Sequence, residues 1–178
     1  MAARKETEYE ILQMVFAGMK EKYFTFDVNG DGTITNQEFR QVLEEMVGEP
    51  CPEEDWREFI VKVDYDNSGT ISFEEFLYAL YLWFAEDLTE ADIEQDEVDM
   101  AFLLLKGRFK EADANSDQVI SRTEFKSLIS KIQCNFLNSV TDDVVNRICS
   151  GIEGVKNNSL NFKQYLYGMY LWVTSDKK

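Results

Sequence analysis

Histidine is absent from the chain. That removes the commonest general base at neutral pH and the usual nitrogen ligand of zinc and iron sites. Cysteine is sparse: Cys51, Cys134 and Cys149 form an odd, scattered set with no C-x-x-C spacing. They read as reduced thiols, which sets the expectation of a cytoplasmic protein. Two prolines and nine glycines among 178 residues leave little punctuation, which favours helices. Basic residues are also short, 18 against 34 acidic ones, for a net charge of −16. Such a balance argues against nucleic acid, whose phosphates select basic surfaces, and suits cations and basic partners. The N-terminal "MAARKETEYE" lacks an apolar signal region, and Ala2 stands where myristoylation requires glycine. The longest apolar run, "FLYALYLWFA" (76–85), is far too short to span a bilayer.

What is present repeats. "FLYALYLW" (76–83) recurs 89 residues later as "YLYGMYLW" (165–172). Upstream lie "DVNGDGTITNQEF" from Asp27, "DYDNSGTISFEEF" from Asp64 and "DANSDQVISRTEF" from Asp113. The same 89-residue offset aligns "EGVKNNSLNFKQY" from Glu153 with the second of these. Four units therefore begin their loops at 27, 64, 113 and 153. Eight, four and one residues ahead of each loop stand Met19, Tyr23, Phe26; Trp56, Ile60, Val63; Leu105, Phe109, Ala112; and Val145, Cys149, Ile152. All are apolar or aromatic at 4-then-3 spacing, one face of an α-helix. Loop position 13 is always aromatic (Phe39, Phe76, Phe125, Tyr165), and position 17 always aliphatic (Leu43, Leu80, Ile129, Met169). Each unit is helix, twelve-residue loop, helix, and the fold class expected is all-α.

Side-chain oxygens in the first loop fall at positions 1, 3, 5 and 9: Asp27, Asn29, Asp31 and Thr35. Thr33 can offer its carbonyl at position 7, Glu38 closes position 12, and Gly32 occupies position 6, where the chain must turn. Six to eight oxygens at flexible geometry are what Ca²⁺ takes, and a bidentate carboxylate at position 12 supplies two. The full pattern is D-x-[DN]-x-[DN]-G-x5-E. The second loop offers Asp64, Asp66, Ser68, the Thr70 carbonyl, Ser72 and Glu75, with Gly69 at the turn. The third offers Asp113, Asn115, Asp117, the Val119 carbonyl, Ser121 and Glu124, but has Gln118 at the turn. A side chain there costs about 1 kcal/mol if φ is positive, which predicts a weaker site.

On these residues the chain resembles an EF-hand protein of the calmodulin superfamily, from about residue 9 to 174. The resemblance implies that Ile34 pairs with Ile71, and Ile120 with Leu160, in short antiparallel strands joining loops one with two and three with four. It also implies two hand pairs, 9–87 and 89–174. "AEDLTEADIEQDEVD" (85–99) lies between them, with Thr89 and Asp92 as a helix cap. Loop four departs from the pattern: Val155 stands at position 3, Asn157 at 5, Asn161 at 9 and Gln164 at 12, leaving Glu153 as its one carboxylate. It is expected to bind no ion and to serve as scaffold for loop three.

The expectation is about three Ca²⁺, with Mg²⁺ at rest an alternative occupant. Binding three would move the net charge from −16 to −10, two units per ion. Three readings compete. One is a monomeric sensor that presents an apolar groove to a basic amphipathic helix. Another is a buffer resembling sarcoplasmic calcium-binding proteins, suggested by the aromatic content of 13%. The third, an enzyme or photoprotein on this scaffold, is disfavoured by the missing histidine. Trp56, Trp83 and Trp172 read as core residues, or as groove lining.

Overall fold

The computed structural model describes residues 7–31, 33–85, 97–132, 140–152, 154–155 and 158–175. In chain order the elements are α1 (Glu8–Phe26), β1 (Ile34–Thr35), α2 (Asn36–Val47), α3 (Glu53–Val63), β2 (Thr70–Ile71) and α4 (Phe73–Leu80), which runs on as a π-helical turn, Tyr81–Ala85. Then come α5 (Glu97–Ala112), β3 (Val119–Ser121), α6 (Arg122–Ile132), α7 (Asp142–Ser150), β4 (Ser159–Asn161) and α8 (Phe162–Ser175). Each loop is entered and left by a helix, as the apolar spacing requires. The Thr89–Asp92 cap lies outside the described residues, as do Gly32, Cys134, Glu153 and Asn157.

Both expected strand pairs form. Ile34 faces Ile71 across β1 and β2, and Ile120 faces Leu160 across β3 and β4, both pairs antiparallel. All four of these side chains are buried. A strand of two or three residues is far below independent stability. These strands persist because each apolar side chain plugs the core while its backbone pairs across the loop junction.

The chain divides into two compact units. One is Ala17–Trp83; the other joins Met1–Phe16 to Phe84–Lys178. In the first, Phe26, Phe39 and Phe76 form a buried aromatic cluster, with Phe26 edge-on to Phe76 at 5.1 Å and tilted against Phe39 at 5.4 Å. Full burial of each such ring is worth about 1.5–3 kcal/mol, with a further ~0.5–1.5 for each favourable ring pair. Phe39 and Phe76 are position 13 of their units, and Phe26 is the residue before the first loop. The sequence register thus becomes one packed layer beneath both loops.

The second unit repeats the scheme with Phe109, Phe125 and Tyr165; Phe109 lies 5.2 Å from Tyr165. Close packing here needs Gly168 on α8. A Cβ at that position would meet Phe125 and Ile152 at 3.3 Å.

Candidate metal centres

Loops one to three are each shaped by their own acidic side chains. In loop one the Asp31 amide donates to Asp27 Oδ1 at 3.0 Å and to Asn29 Oδ1 at 2.9 Å. Asp31 Oδ1 in turn accepts from the Thr33 amide at 3.0 Å and its hydroxyl at 2.8 Å. Loop three repeats this: the Asp117 amide donates to Asp113 Oδ1 and Asn115 Oδ1, and the Val119 amide to Asp117 Oδ1. In loop two the Ser68 amide donates to Asp64 Oδ1 and Asp66 Oδ1. Thr70 supplies its carbonyl to the Ser68 hydroxyl at 3.0 Å. Short Asp and Asn side chains bond their own backbone two residues on, which is why they occupy positions 1, 3 and 5 of a tight loop.

Turning the chain takes left-handed residues. Position 6 is left-handed at Gly69 (φ +79°) and, as the cost assigned to it anticipated, at Gln118 (φ +67°). Asn158, the same position of loop four, has φ +60°. A second left-handed point was not anticipated from the sequence: position 4, at Gly30 (φ +72°), Asn67 (φ +60°) and Ser116 (φ +58°). Gly and Asn tolerate that region and were a usable signal; Ser116 carried none.

The position-12 carboxylates have two employments. Thr35 caps α2 by accepting from the Glu38 amide, while Glu38 Oε2 accepts from the Thr35 amide at 2.9 Å and its hydroxyl at 2.8 Å. Ser72 and Glu75 form the same reciprocal box at the start of α4. Ser121 and Glu124 exchange the same bonds at the start of α6. Thus the hydroxyls at position 9 are committed to the closing glutamates. In each box one carboxylate oxygen holds the cap and the other is left for the loop. Glu38 Oε1 accepts from the Asn29 amide at 3.3 Å.

In loop two the second oxygen is diagnostic. Glu75 is 1% exposed, and its Oε1 is buried with no hydrogen-bond partner. A buried carboxylate oxygen without a partner carries a large desolvation cost, which a cation would relieve. Asp64, Asp66 and Glu75 each place an oxygen within 4.8 Å of the others, so three carboxylates converge there. The donor set is all oxygen, the hard-ligand chemistry that Ca²⁺ and Mg²⁺ prefer. Among the described residues this is the group of three acids gathered most tightly.

A residue outside the ligand pattern also reaches this site. Asn36 lies on α2, just beyond the first strand, and its Nδ2 donates to Asp64 Oδ2 at 2.8 Å. Its backbone amide donates to the Gly69 carbonyl at 3.2 Å. Burial pushes the Asp64 carboxyl up, but bonds from Asn36, Gly69 and Ser68 outweigh it and hold it below the usual carboxylate range. Bonds from Thr33 likewise lower Asp31, and bonds from Thr35 and Ser121 lower Glu38 and Glu124. Nothing in the sequence marks Asn36, because its partner lies 28 residues away.

Loop four keeps the frame with a neutral residue at position 12. Gln164 Oε1 accepts from the Asn161 amide at 3.2 Å, and Asn161 Oδ1 accepts from the Gln164 amide at 3.0 Å. This is the reciprocal box in neutral form. The Gln164 Nε2 lies 3.7 Å from where a Cβ on Gly154 would sit, so an amide nitrogen faces the loop backbone. Val155 offers no side-chain oxygen.

Residues 16–81 match the EF-hand domain-pair family. The chain is similar to calmodulin-like protein 6 of Oryza sativa subsp. japonica, with 25% identity over 158 residues, 89% of this chain and 85% of that protein. It is also similar to calcium-dependent protein kinase 5 of Plasmodium berghei (strain Anka), with 32% identity over 122 residues, 68% of this chain and 19% of the kinase.

Proposed function

The chain is an EF-hand protein of the calmodulin superfamily, and from that premise we propose that it is a monomeric cytoplasmic calcium sensor without enzymatic activity that binds three Ca²⁺ and engages a basic amphipathic helix. The observation that carries the calcium reading is Glu75 Oε1, buried and unpartnered beside Asp64 and Asp66. Asp27, Asn29, Asp31, Thr33, Thr35 and Glu38 would hold one ion. Asp64, Asp66, Ser68, Thr70, Ser72 and Glu75 would hold the second. Asp113, Asn115, Asp117, Val119, Ser121 and Glu124 would hold the third. A bound ion would neutralise clustered carboxylates and cross-link the two helices flanking each loop. Mg²⁺ would compete less well, since it demands a smaller, near-ideal octahedron.

Support for a basic target comes from a cavity of ≈ 470 Å³ in the Ala17–Trp83 unit. Phe59 and Trp83 give it an aromatic wall, Glu49 and Asp55 add acidic groups, and Glu44 is paired with Arg40. An amphipathic helix with one large apolar anchor and flanking Lys or Arg suits that combination. The buffer reading draws on the aromatic cluster of Phe26, Phe39 and Phe76, which is already buried.

Two measurements test the reading. Calorimetric titration is expected to count three Ca²⁺; one or four would break the loop assignment. An apolar-surface dye is expected to brighten several-fold on Ca²⁺ addition, and a flat response would favour the buffer.

A further inference from the structure

The internal repeat gives two tryptophans the same register, Trp83 in "FLYALYLW" and Trp172 in "YLYGMYLW". Their surroundings differ. Trp83 is half-buried and lines the cavity described above. Trp172 is 1% exposed. The first turns of α1 pack against Trp172 through Tyr9.

The entering helix α1 begins at Glu8, 19 residues ahead of Asp27, whereas the entering helix α3 begins at Glu53, 11 ahead of Asp64. About two extra turns precede the part of α1 that a hand requires. They carry their own cap: the Thr7 amide and hydroxyl donate to Glu10 Oε2 at 2.9 and 3.0 Å, and the Glu10 amide returns a bond to Thr7 Oγ1. These same turns, Glu8–Phe16, belong to the compact unit that holds hands three and four.

Their contacts there follow one helical face. Tyr9 packs edge-on against Trp172 at 5.2 Å, and Phe16 against Tyr170 at 5.9 Å. Between them Gln13 Nε2 donates to the Val173 carbonyl at 2.9 Å. Val173 is in the last turn of α8, where carbonyls have no partner within the helix, so this bond caps a helix end. Ahead of them Glu8 pairs with Arg108 through two parallel bonds, Nε to Oε1 at 2.9 Å and Nη2 to Oε2 at 2.8 Å. The spacing is an acid, an aromatic next to it, a glutamine four residues on, and a second aromatic three beyond.

We infer that Glu8–Phe16 is a resident helical occupant of the hand three–four unit, held over Trp172 and Arg108, which excludes from that surface any outside helix bearing the same acid–aromatic–glutamine–aromatic pattern. The two units then differ in what they take from outside. The acidic groups around Trp83 favour a basic helix, while the surface around Trp172 is keyed by Arg108 to an acidic one and is already filled. The occupant holds its place by tethering. Attachment to the same chain gives it an effective concentration on the order of millimolar, which a free competitor must exceed.

The test uses the full chain and a fluorescein-labelled peptide of residues 7–20. The variant Y9A/Q13A removes the occupant's grip and leaves Trp172, Val173 and Arg108 intact. The peptide is expected to bind that variant at least tenfold more tightly than the wild type, by fluorescence anisotropy. Adding R108E to the variant is expected to abolish this binding, and a peptide carrying E8R to restore it. Should Y9A/Q13A fail to fold by circular dichroism, E8R in the full chain opens the same contact at a partly exposed position and is read in the same way. Equal affinity for wild type and opened variant, or no uptake by the opened variant, overturns the inference. The readout is peptide uptake, so it stands or fails independently of calcium stoichiometry.

Discussion

Gln118 holds φ +67° where the third loop turns, and its counterpart in the second loop is Gly69 at φ +79°. A side chain in that region costs about 1 kcal/mol. Gln118→Gly is therefore predicted to raise thermal stability by up to about 1 kcal/mol, less the entropy that glycine gains when unfolded. A loss of stability would show that Gln118 has a contact worth more than its strain. Asn36 acts in the opposite sense. It donates to Asp64, which is 6% exposed, and a hydrogen bond to a charged group is worth about 1.5–3 kcal/mol. Asn36→Ala is predicted to weaken the second calcium site roughly tenfold, equivalent to ~1.4 kcal/mol, although Asn36 is not a ligand. Calorimetry on a Glu38→Gln, Glu124→Gln background isolates that site; an unchanged affinity there would remove Asn36 from the site. Gln118 was legible in the sequence because a turn glycine was missing. Asn36 was not, because a contact made through strand pairing has no local signature.

At the scale of elements the sequence was most informative where two periodicities agreed. Twelve apolar flank positions fixed the helices, and the aromatic residue at position 13 fixed their register to the loops. Phe39, Phe76, Phe125 and Tyr165 are all fully buried as a result. The strand pairs rested on resemblance alone, since two or three residues give no alternation to read. Their role is testable through Leu160, which is buried opposite Ile120. Leu160→Ser is predicted to weaken Ca²⁺ binding between Asp113 and Glu124 by at least fivefold, because β3 loses the partner that holds the third loop. Unchanged affinity at that loop would leave loop four without a scaffold role. What the sequence did not signal was the length of α1. A helical stripe of Tyr9, Leu12, Phe16 and Met19 gives no indication that its first half packs on a different unit from its second.

At the scale of the whole molecule, charge sets two opposing trends. Net −16 means self-repulsion, which acid relieves. Against it stand Asp31, Glu38, Asp64 and Glu124, whose carboxyls all lie below their ordinary values. A lowered carboxyl contributes stability that is present above its unfolded value, near 3.8 for Asp and 4.5 for Glu, and is lost as pH falls through the folded value. Near 0.15 M salt the Debye length is about 8 Å, so long-range repulsion is largely screened and the loop bonds dominate. With calcium chelated, the melting temperature is therefore predicted to hold from pH 7 to 5 and to drop below about pH 4. A rise on acidification would mean that repulsion governs instead. Calcium should add stability by mass action, as any ligand of the folded state does.

Because Glu38, Glu75 and Glu124 each serve both a helix start and a loop, the two duties can be lost separately. Glutamine still accepts the cap bond, as Gln164 does from the Asn161 amide, yet it brings no charge to a cation. A hand can thus fall silent in one substitution while its helix, its strand and its partner's geometry survive. Charge at position 12 is thereby separable, loop by loop, from the helix start that the same side chain caps. Loop four carries that residue already, as Gln164.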